Sequence, residues 1–183
     1  MVGATATATP SREASAPADL SWVGRRAPLG SPRYEALLLV ASLSLAAGVI
    51  HAIAAVEHMG EFALFGAFFA CLAAVQLAWG SWIFSRPAPQ ILGWGVYLAG
   101  AVAALWLCSR TVGLPLGPTS WRAEPAGPLD VAATSDELVL AFMALALMRR
   151  EEAIGRALRV ARWPAAALLV LSGLALFTGA HHH

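Results

Sequence analysis

The sequence predicts an all-α integral membrane protein, a bundle of five transmembrane helices with its N-terminus cytoplasmic and its C-terminus extracytoplasmic. Three observations predict it. The 183 residues are 58% hydrophobic and only 13% charged, with a mean hydropathy of +0.66, far from the soluble average. The apolar residues gather in runs of about 20, each long enough at ~1.5 Å per residue to cross a ~30 Å hydrocarbon core. Arginines gather at alternate connections, as the positive-inside rule requires of a cytoplasmic side.

The chain opens on residues 1–33, rich in Ala, Thr, Ser, Pro and Gly and poor in large apolar groups. Burial there cannot offset the entropy of ordering, so a disordered cytoplasmic tail is expected. Arg25-Arg26 hints at a twin-arginine signal, but Ala-Pro-Leu follows and the apolar run is longer than a signal h-region, so no cleavage is expected. The membrane domain then covers 34–180. Its spans are Tyr34 to Glu57, Glu61 to Phe84, Gln90 to Ser109, Leu129 to Met148 and Trp163 to Ala180. No alternating segments of about ten residues suggest a β-barrel.

All 12 basic residues are arginine. Arg12, Arg25, Arg26 and Arg33 precede the first span, Arg86 lies in the second connection, and Arg149, Arg150, Arg156, Arg159 and Arg162 occupy the fourth. Arg110 and Arg122 alone fall on the opposite side. Trp79, Trp82, Trp94 and Trp163 near inner ends, and Trp106 near an outer end, fit interfacial anchors. The bilayer is the expected partner, and nothing basic and clustered outside it suggests nucleic acid.

Within the first span Ala41, Ser44, Gly48, His51, Ala55 and His58 recur at helical spacing and share one face. In the fourth, Asp130, Thr134, Glu137, Ala141 and Ala144 do the same. Ionisable groups in hydrocarbon cost several kcal/mol, so these stripes are expected to face protein, and each other. With Glu57 and Leu129 taken as outer boundaries, His51 lies about 9 Å inside and Glu137 about 12 Å inside. His58 and Asp130 are level at the surface, Glu61 opens the second span beside them, and Arg110 and Thr111 end the third at the same height. The outer half therefore gathers the polar groups, with Asp136 and Cys108 at its margin, while the inner half offers mainly Gln76 and hydroxyls.

Nitrogen and oxygen donors at this depth suit a transition metal, copper or zinc, with His51, His58, Glu61 and Glu137 as ligands and Asp130, Thr134, Arg110 and Cys108 in support. Against this, a separation of seven positions places the histidines about 10.5 Å apart along the helix, and no HExxH is present. Haem is disfavoured because both histidines lie on one helix, whereas bis-His ligation needs opposite faces of the porphyrin. A purely structural layer is the competing reading, in which His51 bonds Glu137 and Arg110 pairs with Glu61 or Asp130. Under it the protein would be an accessory or assembly subunit packing its small-residue stripes on a membrane partner or on its own copies. Proton or ion movement ranks third, since Gln76 alone continues a path inward. No nucleophile–base pair or cofactor motif occurs, so catalysis ranks behind binding.

Cys71 and Cys108 differ too much in depth to pair and are expected as buried free thiols. His181, His182 and His183 are either the remnant of a purification tag or a native metal-collecting tail. Between the third and fourth spans, Arg-Thr-Val-Gly-Leu-Pro-Leu-Gly-Pro (110–118), Trp121 and Glu124-Pro125 combine turn formers with rigid prolines, a composition that suits a folded lid over the polar layer. The histidine pair, that loop, Phe65-Gly66-Ala67-Phe68-Phe69 and Gln76-Leu77-Ala78 together resemble a group of small, uncharacterised polytopic membrane proteins of high-GC bacteria. The resemblance covers about Leu39 to Met148. It implies a bacterial cytoplasmic-membrane protein and no particular reaction.

Overall fold

A computed structural model describes residues 27–149 and 151–179. The expected disordered tail up to residue 26, Arg150 and the terminal histidines lie outside the described residues. Five helices follow in order: α1 (Pro32–Glu61), α2 (Ala63–Ser85), α3 (Pro89–Thr111), α4 (Pro128–Leu147) and α5 (Glu151–Gly179). Among the described residues there is no strand. The helices α1, α2, α3 and α5 are long and apolar enough to cross a membrane. The remaining one, α4, carries three acids, Asp130, Asp136 and Glu137, and so meets the length but not the apolar requirement.

Ser31 caps α1, its hydroxyl accepting from Tyr34 N at 3.2 Å, and Pro32 occupies the first turn, where a missing N–H costs nothing. The helix runs past the expected end at Glu57 because Glu57-His58-Met59-Gly60-Glu61 contains nothing that breaks it, and an interfacial turn need not be apolar. It stops at Phe62, a single extended residue (φ −154°, ψ 104°) from which α2 starts at once. Glu61 therefore closes α1 rather than opening the second span. The hinge is tight because Gly66 lies against the Met59 backbone; a Cβ there would approach Met59 Cα to 2.6 Å.

Below the hinge, the small face of α1 meets α2. A Cβ on Gly48 would touch Leu77, and one on Gly80 would touch Ser44 and the Ala41 carbonyl. Ser44 Oγ donates to the Gln76 carbonyl at 2.8 Å. The α1 stripe is thus buried as expected, but much of it faces α2 as well as α4. The Trp79 ring rests on Gly95, and its Nε1 donates to Ile91 O at 2.9 Å, which ties α2 to α3 near their connection. Trp79 is accordingly buried rather than interfacial, whereas Trp82, Trp94 and Trp163 are exposed as expected. Beyond this contact α2 and α3 scarcely pack on one another.

Helix α4 sits among α1, α3 and α5. Its last carbonyl, Leu147 O, accepts from Arg33 Nη2 at 3.1 Å, a buried cation placed at the negative end of a helix. Helix α5 starts a dozen residues before the expected Trp163. Glu, Ala, Leu and Arg favour the helix there, and Ile154, Ala157, Ala161 and Ala165 form a buried edge at helical spacing. Arg156, Arg159 and Arg162 consequently belong to a helix, not to a connection. The half of the bundle toward the start of α1 and the end of α4 is one apolar core, in which Leu37, Val40 and Leu43 of α1 pack with Leu140, Met143 and Leu147 of α4. Burying each such side chain contributes about 1.5–3 kcal/mol where water is the alternative; facing lipid, close packing takes over that role.

Candidate functional site

In the half of the bundle that carries the α1–α2 hinge and the loop between α3 and α4, the helices do not close. A cavity of about 560 Å³ lies among α1, α2, α3, α4 and the loop between α3 and α4, within the ~300–1,000 Å³ usual for small-molecule sites. Phe65, Phe68 and Phe69 of α2 form one wall, with Leu105 and Trp106 of α3 across from them. Apart from the Trp79 contacts, α2 and α3 scarcely pack on one another, and both contribute to the lining of the cavity.

Polar groups sit at its depth. Gln76 Oε1 accepts from His51 Nδ1 at 2.7 Å, and Gln76 Nε2 donates to Glu137 Oε1. In this arrangement the amide oxygen faces the imidazole and the amide nitrogen faces the carboxyl, so one side chain serves both neighbours. All three side chains are buried, and each satisfies the next. The expected direct bond between His51 and Glu137 is replaced by one through Gln76. Depth explains the difference: counted from the hinge at Phe62, His51 is about 16 Å and Gln76 about 21 Å along their helices, roughly one turn apart. Taking Glu57 as the boundary had set His51 too shallow and Gln76 too deep to meet.

Beside this chain Asp136 is fully buried; its Oδ2 accepts from Ser172 Oγ of α5 at 3.4 Å, and its Oδ1 has no partner among the described residues. Thr134 and Ser172 complete the polar floor of the cavity.

The mouth is organised by Arg110. Its Nη1 donates to Glu124 and its Nη2 to Asp130, both at 2.8 Å, and Asp130 Oδ2 also accepts from Gly127 N at 2.9 Å, capping α4. Of the two expected partners of Arg110, Asp130 is found; Glu124 takes the place of Glu61, which is exposed and does not line the cavity. The loop is folded as expected. Trp121 N donates to Leu114 O at 2.8 Å and Glu124 N to Ser109 O at 3.1 Å, while Trp121 itself adopts φ 59°. Gly113 (φ +80°) and Gly117 (φ +89°) take left-handed turns open to glycine. Gly117 also lies on the Phe65 ring, where a Cβ would come within 2.8 Å. The loop therefore reaches from α3 across to α2 and roofs the cavity.

Of the residues expected as metal ligands, His51 and Glu137 belong to the buried chain through Gln76, His58 lines the cavity, and Glu61 is exposed. His51 stacks on Phe69 with ring centroids 5.7 Å apart, and His58 meets the same ring edge-on at 5.0 Å. Phe69 thus spans the gap between the two imidazoles. Among the described residues no three His, Cys, Asp or Glu side chains are grouped as a metal site. Cys108 and Cys71 are free and exposed on the outside of the bundle, not buried, and Cys108 takes no part in the site. Two participants were not identified from sequence. Gln76 was assigned to the inner half, although its spacing from Ala73 and Gly80 places it on the small, inward face of α2. Glu124 lies in a loop, where no periodicity reveals which way a side chain turns.

Comparison with protein families, curated proteins and solved structures gave no match. The fold and site define a helical membrane protein with an aromatic-walled cavity, roofed by the loop between α3 and α4, over a buried polar chain.

Proposed function

We propose that the protein binds, without catalysis, a lipid-soluble small molecule in this outer cavity. The observation that carries the reading is a chamber of about 560 Å³ with aromatic walls and buried polar atoms that lack partners among the described residues: His58 Nδ1, Trp106 Nε1 and Arg110 Nε. Apolar walls with a few convergent polar atoms are the usual composition of a ligand site, and an unsatisfied buried polar atom costs about 1–3 kcal/mol unless something answers it.

The proposal includes five spans in a bacterial cytoplasmic membrane with the N-terminus inside. Helix α4, with 20 residues, is about 30 Å long, and its acids are turned to Arg110, Gln76 and Ser172 rather than to lipid. The arginine distribution supports the orientation, and the resemblance supports the bacterial membrane. The cavity then opens in the outer leaflet.

Copper or zinc held by His51, His58, Glu61 and Glu137 is the second reading, favoured by the unpartnered Nδ1 of His58. Proton transfer through the buried chain is weaker, because the amide of Gln76 stands between imidazole and carboxyl and is a poor carrier. One sample separates the first two readings. Tag-free protein purified in mild detergent is divided for elemental analysis and for solvent extraction with mass spectrometry. The ligand reading predicts an equimolar organic molecule, absent from Ala54→Trp, and no metal above background. Stoichiometric metal lost in His51→Ala, with no organic molecule, would replace it with the metal reading.

A further inference from the structure

The chemistry of the cavity narrows the class of ligand, an inference that rests on the binding reading above. Of the ionisable groups lining it, Glu57, Glu124 and Asp130 are acids, Arg110 is a guanidinium, and His51 and His58 are imidazoles. The charge of Arg110 is already matched by two carboxylates at 2.8 Å. A carboxylate or phosphate headgroup would therefore meet surplus negative charge, with only the Nε–H of an already neutralised guanidinium to answer it.

The unpartnered atoms argue equally against a cation. Trp106 Nε1 and Arg110 Nε are donors only, four residues apart and so on one face of α3. They call for an acceptor oxygen on the ligand. Across the cavity, on α1, His58 Nδ1 has no partner among the described residues, and in the Nδ1–H tautomer it donates too. Donors on two opposing walls suit a ring that carries oxygens at opposite edges. Between those walls stand the rings of Phe65, Phe68 and Phe69, with Phe68 and Phe69 in edge contact at 5.3 Å. Such surfaces take a flat ring by stacking.

Entry is the remaining requirement. The loop roofs the cavity from the outside, and the close-packed inner core closes it below. The sparse contact between α2 and α3 leaves the lateral route between them, and a hydrocarbon tail can lie in that opening while the ring sits inside. We infer that the cavity binds a neutral, tailed, lipid-soluble ring dicarbonyl, a compound of the quinone class, with one carbonyl toward Trp106 and Arg110 and the other toward His58.

The test uses three probes with the same tail length: decylubiquinone, decylbenzene and decanoate. Each is titrated calorimetrically into intact protein in detergent, with blank titrations into detergent alone. The expected result is equimolar binding of decylubiquinone at least tenfold tighter than either comparator. Trp106→Phe, which keeps the ring and removes the donor, should weaken it about three- to tenfold, with helical content by circular dichroism unchanged. His58→Phe should do the same. Decylbenzene binding as well as the quinone, decanoate binding better, or Trp106→Phe binding unchanged would each overturn the quinone assignment. If one of those comparators binds and Ala54→Trp abolishes it, the cavity reading survives that failure. If none of the three probes binds, both fall.

Discussion

Gln76 is the residue on which the buried polar chain depends. It supplies an acceptor to His51 and a donor to Glu137, and its own carbonyl is taken by Ser44. Removing it leaves two buried polar groups without partners, whereas removing all three side chains together leaves none. Gln76→Ala is therefore expected to lose about 1–3 kcal/mol of stability, measured as a fall in Tm in detergent. A triple replacement of His51, Gln76 and Glu137 by leucine should lose less than Gln76→Ala alone. The opposite order would mean that the chain stabilises the bundle by more than the satisfaction of its own members. His51 and Glu137 were legible from their stripes because helical periodicity reveals direction. Their link through Gln76 was not, because a side chain's reach across one turn of depth is smaller than the error in placing a helix end by hydropathy.

Helix ends illustrate the same point at the next scale. The existence of all five helices follows from apolar runs and from the acid-bearing stripe of α4, yet α1 extends to Glu61 and α5 begins at Glu151. Hydropathy marks the portion of a helix that can face lipid; the interfacial turns at Met59 to Glu61 and at Glu151 to Arg162 follow backbone propensity instead. Glycines separate into those that shape the helices and those that do not. Gly66 has the Met59 backbone at 2.6 Å from a would-be Cβ, while Gly93 and Gly100 have nothing within 4 Å. Gly66→Ala must push α1 and α2 apart at the hinge and should cost about 1–3 kcal/mol. Gly93→Ala should be neutral or slightly stabilising, since alanine favours the helix. Thermal unfolding of both variants decides it; equal effects would mean that the hinge has room the close contact denies.

At the scale of the whole molecule, the bundle is sealed in the half that holds the apolar core and open in the half beneath the loop between α3 and α4, and the roof is held by few bonds. Arg110 ties the loop to α4 through Glu124 and Asp130. Arg110→Gln breaks both ion pairs, and limited proteolysis within residues 112–127 should accelerate several-fold, with the helices left intact. Unchanged cleavage would show that the Gly113 and Gly117 turns hold the roof without Arg110. None of this openness was legible in the sequence. A lid was suggested by the prolines and glycines of the loop, but the sparse packing between α2 and α3 is a matter of how two helices sit relative to one another, and helical periodicity contains no such information.

Orientation is a separate property of the whole molecule, and cysteine labelling tests it. In a Cys71→Ala, Cys108→Ala background, Thr119→Cys should react with a membrane-impermeant maleimide on intact cells, and Ser85→Cys only after permeabilisation. The reverse pattern would invert the topology and place the cavity in the inner leaflet.

The central claim is that a small molecule occupies the outer cavity, and native mass spectrometry of the tag-free protein released from detergent tests it most directly. The account predicts a wild-type population carrying one adduct of a few hundred daltons, consistent with a cavity of about 560 Å³, and its loss in Ala54→Trp, whose indole fills that space. A wild-type spectrum of bare protein alone, before and after incubation with decylubiquinone, or an adduct that persists in Ala54→Trp, would contradict it.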